Sequence, residues 1–182
     1  MNYQIKSHGV APKRVIFDEK DFYETPKYCS EELLKREIFI GKIWEPCAGN
    51  GAISQVLLDA GLDVYSSDLV KRDYDLSEID FLTSQNIVEN IITNPPYNIA
   101  FDVINKCKEL STNKFALLLR LLFLEGKRRK IMFEDTTYPL KSVYTFSGRV
   151  NMMKEKKGSP TICFAWFVWE KNYQEKPILG WI

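Results

Sequence analysis

Residues 42–68 constrain the fold more than any other stretch. Residues 42–47, Lys-Ile-Trp-Glu-Pro-Cys, read as a strand, and Ala48-Gly49-Asn50-Gly51 then turns tightly. Ile53, Val56, Leu57 and Ala60 fall on one helical face, and Gly61 stands where a helix should end. Residues 62–67 read as the next strand and close on Asp68. Strand, Gly-rich turn, helix, strand, acid is the plan of a nucleotide-binding βαβ unit. Gly49 and Gly51 meet a double demand, a sharp bend and a backbone that a ligand can approach closely.

The other segments extend that plan. Thr25 suits an N-cap and Pro26 a first helical residue, and Leu33, Leu34 and Ile38 follow at helical spacing, so a helix is expected over residues 26–39. Residues 73–86 are polar, with Ile79, Phe81 and Leu82 embedded, and predict a loop with a short helix carrying Asp80. Residues 89–93 and 114–122 read as strands, residues 99–110 as an amphipathic helix, and residues 125–133 as a helix with a basic face. Residues 141–147 and 161–170 read as two further strands; the second is almost wholly β-branched or aromatic, and its Trp166 and Trp169 suit core or edge packing. The alternation predicts an α/β fold with a mostly parallel sheet, the last two strands forming an antiparallel hairpin at its edge. Residues 1–20 lack a clear period and read as an arm ahead of a single domain over residues 21–182.

Composition narrows the chemistry. A chain of 182 residues with 45% hydrophobic content has room for one sizeable core. Its net charge of +1 advertises no global basic field, so any polyanion binding must come from local patches. Cys29, Cys47, Cys107 and Cys163 form no CxxC pair, and His8 is the lone histidine, which disfavours structural zinc and histidine catalysis alike. The scattered thiols and the lack of a signal peptide point to a reducing, cytoplasmic setting. The most apolar window, residues 115–124, contains Arg120 and reads as a buried strand rather than a membrane span.

The strand at residues 89–93 breaks abruptly into Asn94-Pro95-Pro96-Tyr97. The prolines have no backbone N–H and can offer only carbonyl acceptors, and Asn94, preceding a proline, is biased toward extended backbone. Its side-chain carbonyl is one more acceptor, and Tyr97 supplies a flat face beside them. Such a corner either closes a buried strand with a stiff turn, or grips a planar group that carries an NH2.

Four segments and the single residue Asp68 together resemble the S-adenosylmethionine-dependent amino-methyltransferases, in particular the N6-adenine DNA methyltransferases. Residues 22–26, ending Glu-Thr-Pro, look like the motif that closes over the cofactor's methionine end. Residues 45–51, Glu-Pro-Cys-Ala-Gly-Asn-Gly, look like its Gly-rich loop, and Asp80-Phe81-Leu82 like the motif that reads its adenine. Asp68 matches the acid that receives the ribose hydroxyls, and Asn94-Pro95-Pro96-Tyr97 the catalytic tetrapeptide. The match spans roughly residues 21–100, and the whole chain is similar to small stand-alone methyltransferases of phage or prophage type. The resemblance implies a Rossmann-like, doubly wound class I methyltransferase fold, S-adenosylmethionine as cofactor, and Tyr97 as platform for a base flipped out of its stack. It also implies that the acceptors of Asn94 and Pro95 hold the amine while an activated methyl group is presented in line.

The resemblance carries the remaining expectations. Thr25 would cap its helix, touch the cofactor carboxylate, or do both. Glu45, an acid at the end of a buried strand, needs a partner, and the cofactor's amino group is the expected one. Asp68 could instead cap the next turn, and Cys47 is expected to fill core space rather than act as a nucleophile. Phe146 and Arg149 stand where the family often places a stacking aromatic and polar contacts, or are ordinary strand-end residues. Lys127, Arg128, Arg129 and Lys130, with Lys154, Lys156 and Lys157, are solvated faces or phosphate contacts. The chain leaves no room for the family's usual target-recognition domain. DNA is the expected partner, with RNA adenine, protein glutamine or a non-catalytic binding role as alternatives, and association with a second copy stays open.

Overall fold

A computed structural model of the chain describes residues 24–71, 74, 77–152 and 161–182. The expected arm, residues 21–23 of the first motif, and Lys154, Lys156 and Lys157 lie outside the described residues. The elements are α1 (Lys27–Leu34), β1 (Ile43–Glu45), α2 (Ala52–Asp59), β2 (Val64–Asp68), β3 (Ser77–Glu78), β4 (Val88–Thr93), α3 (Ala100–Leu110), β5 (Ser111–Arg120), α4 (Lys127–Phe133), β6 (Leu140–Thr145), β7 (Phe164–Glu170) and β8 (Ile178–Trp181). The strands form one sheet in the order β3-β2-β1-β4-β5-β7-β6-β8. β3, β2, β1, β4 and β5 pair in parallel; β7 pairs antiparallel to both β5 and β6.

Alternation along the long strands explains why both faces are covered. Phe115, Leu117 and Leu119 of β5 join Trp44, Val103, Ile104 and Leu110 in one core layer, under α3. Ala116 and Leu118 join Leu33, Ile53, Leu57 and Trp166 in the other, under α1 and α2. Side chains two residues apart share a face of a pleated strand, so a strand covered on both sides must be apolar throughout. β7 shows this most fully: residues 164–169 are all buried. Trp166 and Trp169 are wholly buried, and the Trp166 indole N–H donates to the Cys29 carbonyl of α1 at 2.6 Å.

Four details differ from expectation. α1 ends at Leu34, not Phe39, because the chain turns there and sends Glu37 inward to the ammonium groups of Lys114 and Lys141. Pro26, with φ −58° and ψ 135°, takes the N-cap position expected for Thr25, and no side chain caps the helix. Among the described residues no short helix forms around Asp80; β3 pairs with β2, and a turn follows whose backbone N–H groups at Leu82 and Ser84 are taken by Asp80. The antiparallel hairpin of β6 and β7 forms, but β7 sits inside it against β5, and β8 pairs parallel to β6 as the outermost strand.

Candidate active site

The strand order fixes where a ligand can sit. From β1 the chain steps one way to β2 and β3, then returns to the other side of β1 for β4 and β5. The neighbouring strands β1 and β4 are therefore left by connections that run to opposite sides, which opens a crevice beyond their carboxyl ends. Glu45 ends β1, Asp68 ends β2, and Asn94 follows the last residue of β4. With β1 between them, the ends of β2 and β4 lie two strand spacings apart, about 10 Å.

The Gly-rich loop is held shut from below. Gly49 and Gly51 have φ of 56° and 76°, a region that side chains rarely adopt. Gly51 is also sterically confined: a Cβ placed there would come within 2.5 Å of the Tyr74 ring. The Gly49 N–H donates to Asp68 Oδ2 at 2.8 Å, and the Val70 N–H to Oδ1 at 3.0 Å. Asp68 thus fastens the loop to the end of β2 and also caps its own turn. A carboxylate has about four acceptor positions, so two remain for hydroxyl donors.

Glu45 is buried, and its partner is the Ser54 hydroxyl of α2, which donates to Oε2, with Ser66 next to Ser54. Burial, against the pull of the Ser54 bonds and aided by the Asp68 charge, raises its carboxyl to about 8. At neutral pH it carries a proton and joins helix to strand. Burial likewise pushes the Cys47 thiol up to about 12, which suits a packing role. Phe81 is buried edge-on against Trp44, ring centroids 5.1 Å apart, so its side chain belongs to the core. What this segment presents to solvent is the exposed Asp80.

The corner after β4 is a small network. Asn94 Nδ2 donates to the hydroxyl of the buried Thr25 at 3.0 Å, and the Tyr97 hydroxyl donates to Asn94 Oδ1 at 2.9 Å. These two bonds fix the amide's orientation and leave Oδ1 one further acceptor position. Thr25, relieved of capping, is instead the support of Asn94. Pro95 is buried, and its carbonyl accepts no backbone hydrogen bond among the described residues. Pro96 precedes a single 3-10 turn over Tyr97–Ile99 that leads into α3.

Aromatic and basic groups rim the corner. The Tyr97 ring packs on Phe164 (centroids 5.6 Å apart, 37° between planes), and the Arg120 guanidinium carbon lies 4.9 Å above its centroid. Phe146 meets Tyr28 edge-on at 6.0 Å. Arg149 is turned to its own chain, donating to the Thr161 carbonyl at 2.8 Å and lying 2.9 Å from Cys163 Sγ. On α4, Arg128 stacks on Phe101 at 3.9 Å and Arg129 on Phe123 at 4.8 Å; Lys127, Arg128 and Lys130 are exposed. Sequence reasoning missed Arg120, Phe164 and Tyr28. The signal for Arg120 was present: it is the charge inside an otherwise apolar run. Two open depressions, one lined by Gly41, Asp63 and Glu89 and the other by Trp44, Gln85 and Ile87, share no residue with this crevice.

No family model and no curated protein matches the sequence. Solved structures do. A Pyrococcus horikoshii protein provisionally described as an RNA methyltransferase superposes with a TM-score of 0.65 at 16% identity, covering 82% of this chain and 87% of that one. A Listeria monocytogenes protein, provisionally a class I S-adenosylmethionine-dependent methyltransferase, gives 0.61 at 11% identity over 86% of this chain and 62% of that one. A Vibrio vulnificus modification subunit of a provisionally assigned type I restriction enzyme gives 0.58 at 10% identity over 85% and 45%. The chain thus spans less than two thirds of the Listeria and Vibrio proteins. At these identities the likeness defines the architecture: the chain has the class I methyltransferase fold.

Proposed function

We propose that this chain transfers a methyl group from S-adenosylmethionine to the exocyclic N6 amine of adenine in DNA. One observation carries the reading. A rigid Asn-Pro-Pro-Tyr corner with vacant oxygen acceptors stands at the end of β4, beside a Gly-rich loop fastened to Asp68, at the crevice where this fold binds ligands. The residues suit the cofactor. Gly49 and Gly51 keep the loop's backbone bare, and the remaining acceptor positions of Asp68 match a pair of ribose hydroxyls. Asp80, exposed on its turn, is within the loops at the same end of the sheet. The bound cofactor would supply an activated methyl electrophile.

The chain's own residues then address the nucleophile. An aromatic amine is a poor one because its lone pair is delocalised into the ring. Asn94 Oδ1 and the Pro95 carbonyl accept its two N–H bonds, return electron density to nitrogen and favour its pyramidal form. Because Thr25 and Tyr97 already hold Asn94, little reorganisation is needed at the moment of reaction. The surplus proton leaves to water afterwards, so no strong base is required. The adenine ring rests on Tyr97, with Phe164 beside it.

The Vibrio likeness to a restriction-modification subunit supports DNA. A second reading is the same transfer to RNA: the Pyrococcus protein, of which this chain covers 87%, is provisionally described as an RNA methyltransferase. Calorimetric titration with S-adenosylmethionine tests the cofactor. Incubation with methyl-labelled cofactor and DNA, RNA or protein, followed by scintillation counting of each fraction, tests the substrate. Label in DNA is the expected result; label confined to RNA selects the second reading, and label confined to protein rejects both.

A further inference from the structure

Arg120 is the last residue of β5, exposed, at the rim of the crevice. No carboxylate pairs with it among the described residues; its guanidinium instead covers Tyr97. It stands opposite Phe164 in the β5–β7 ladder, so the two side chains rise from the same face of the sheet, and both meet the Tyr97 ring. Phe164 is buried and fixed. Arg120 is the movable part of this enclosure, because a cation on an aromatic face at an exposed site is held only weakly. A guanidinium is planar and stacks as a base does, and its fork also matches a phosphate. The chain continues from Arg120 into α4, whose Lys127 and Lys130 are exposed.

We propose that Arg120 reads the substrate class: it covers the Tyr97 platform in the free protein and shifts to a backbone phosphate of the strand being methylated, so that an adenine on a phosphodiester chain opens the site and a glutamine side chain or free adenosine does not. The inference rests on the methyltransferase reading above and goes beyond it in assigning the discrimination to one side chain. An occupant of the platform must displace the arginine, and only a substrate with a phosphate near the base gives the guanidinium a better partner.

Arg120→Ala and Arg120→Lys test this, with calorimetric affinity for S-adenosylmethionine as the control for fold. Transfer to an adenine-containing single-stranded oligodeoxynucleotide and to adenosine is measured over a range of salt. For Arg120→Ala, KM for the oligonucleotide should rise about tenfold, and the salt slope of its binding should fall by about one. Transfer to adenosine should rise relative to the oligonucleotide. Arg120→Lys keeps the charge but not the stacking plane, so it should retain the salt slope yet share the gain on adenosine. That split is one a merely structural role would not produce, and the lysine variant alone suffices if the alanine protein does not fold. Unchanged KM and slope in Arg120→Ala, or unchanged adenosine selectivity in both variants, overturns the proposal while leaving the methyltransferase reading standing. Cofactor binding with no transfer to any polynucleotide by the parent protein overturns both.

Discussion

Glu45 shows how one side chain can join two elements and make the fold sensitive to pH. Its carboxyl is raised by burial to about 8, while in the unfolded chain it titrates near the ordinary value of about 4.3. The folded state therefore holds the proton over an interval in which the unfolded state has lost it. Its contribution to stability is fully present below the unfolded value and declines as pH rises toward about 8. Glu45→Gln, which keeps a neutral group near Ser54, should flatten that decline in urea unfolding curves; an unaltered pH profile would remove Glu45 as its source. Gly51 makes a different residue-scale prediction. Gly51→Ala forces a side chain to φ 76° and into the Tyr74 ring, so stability should fall by at least roughly 1–2 kcal/mol, the cost of the left-handed backbone alone. The glycine was legible in the sequence because a tight turn demands it. The partner of Glu45 was not, because a side chain nine residues away becomes a neighbour only once α2 has packed on β1.

Elements show the same division. The βαβ unit, the amphipathic α3 and the buried β5 were legible because their periodicities are local. The end of α1 was not, because it is decided by residues far along the chain. Glu37 accepts from Lys114 at 2.8 Å, Lys141 at 3.0 Å, Ser142 at 3.1 Å and the Tyr144 hydroxyl at 2.9 Å, all on strands of the distant half. Burial alone would raise its carboxyl; the two lysines and Tyr144 outweigh this and hold it below the ordinary range. Lys141 is held above its usual value: burial opposes this, and its bonds to Glu170 and Glu37 prevail. On the acid side the cluster's contribution is therefore complete above the unfolded carboxylate value, about 4.3, and is lost as pH falls through the lower folded one; on the alkaline side it is present below the unfolded lysine value, about 10.4, and is lost as pH rises through the raised folded one. Glu37→Gln leaves Glu170 to pair with Lys114 at 3.0 Å and Lys141 at 2.7 Å, so it removes one of two carboxylates and should cost roughly 1–3 kcal/mol at neutral pH, with a smaller loss on acidification than in the parent protein. Thermal unfolding at several pH values measures both. β8 escaped sequence reading for a simpler reason: four residues including Gly180, after Pro177, carry too short a pattern to distinguish from a loop.

At the scale of the whole molecule, the sheet brings the Gly-rich loop and the Asn-Pro-Pro-Tyr corner to one crevice, and the chain after β5 places a basic rim beside it. The rim is not uniform. Arg128, itself exposed, and Arg129 are stacked on Phe101 and Phe123, so their removal disturbs those contacts, whereas the exposed pair Lys127 and Lys130 cover no ring among the described residues. If the exposed pair meets phosphates, Lys127→Ala with Lys130→Ala should lower the slope of log K against log salt by about 0.7–0.9 per contact, with melting temperature unchanged. A constant slope would take α4 out of the interface. The four motifs around the crevice were legible because each is a short run of residues; the bonds from Thr25 and Tyr97 that orient Asn94 were not, since they join three segments of the chain. Those bonds make the corner a preorganised acceptor, and the most direct test is chemical. DNA is incubated with methyl-labelled S-adenosylmethionine and either parent protein or Asn94→Ala, digested to nucleosides, and resolved by mass spectrometry. The account predicts label in N6-methyladenine with the parent protein and, with unchanged cofactor affinity, a loss of about 10²–10³ in turnover for Asn94→Ala. Undiminished turnover in that variant, or label in any nucleoside other than N6-methyladenine, would contradict it.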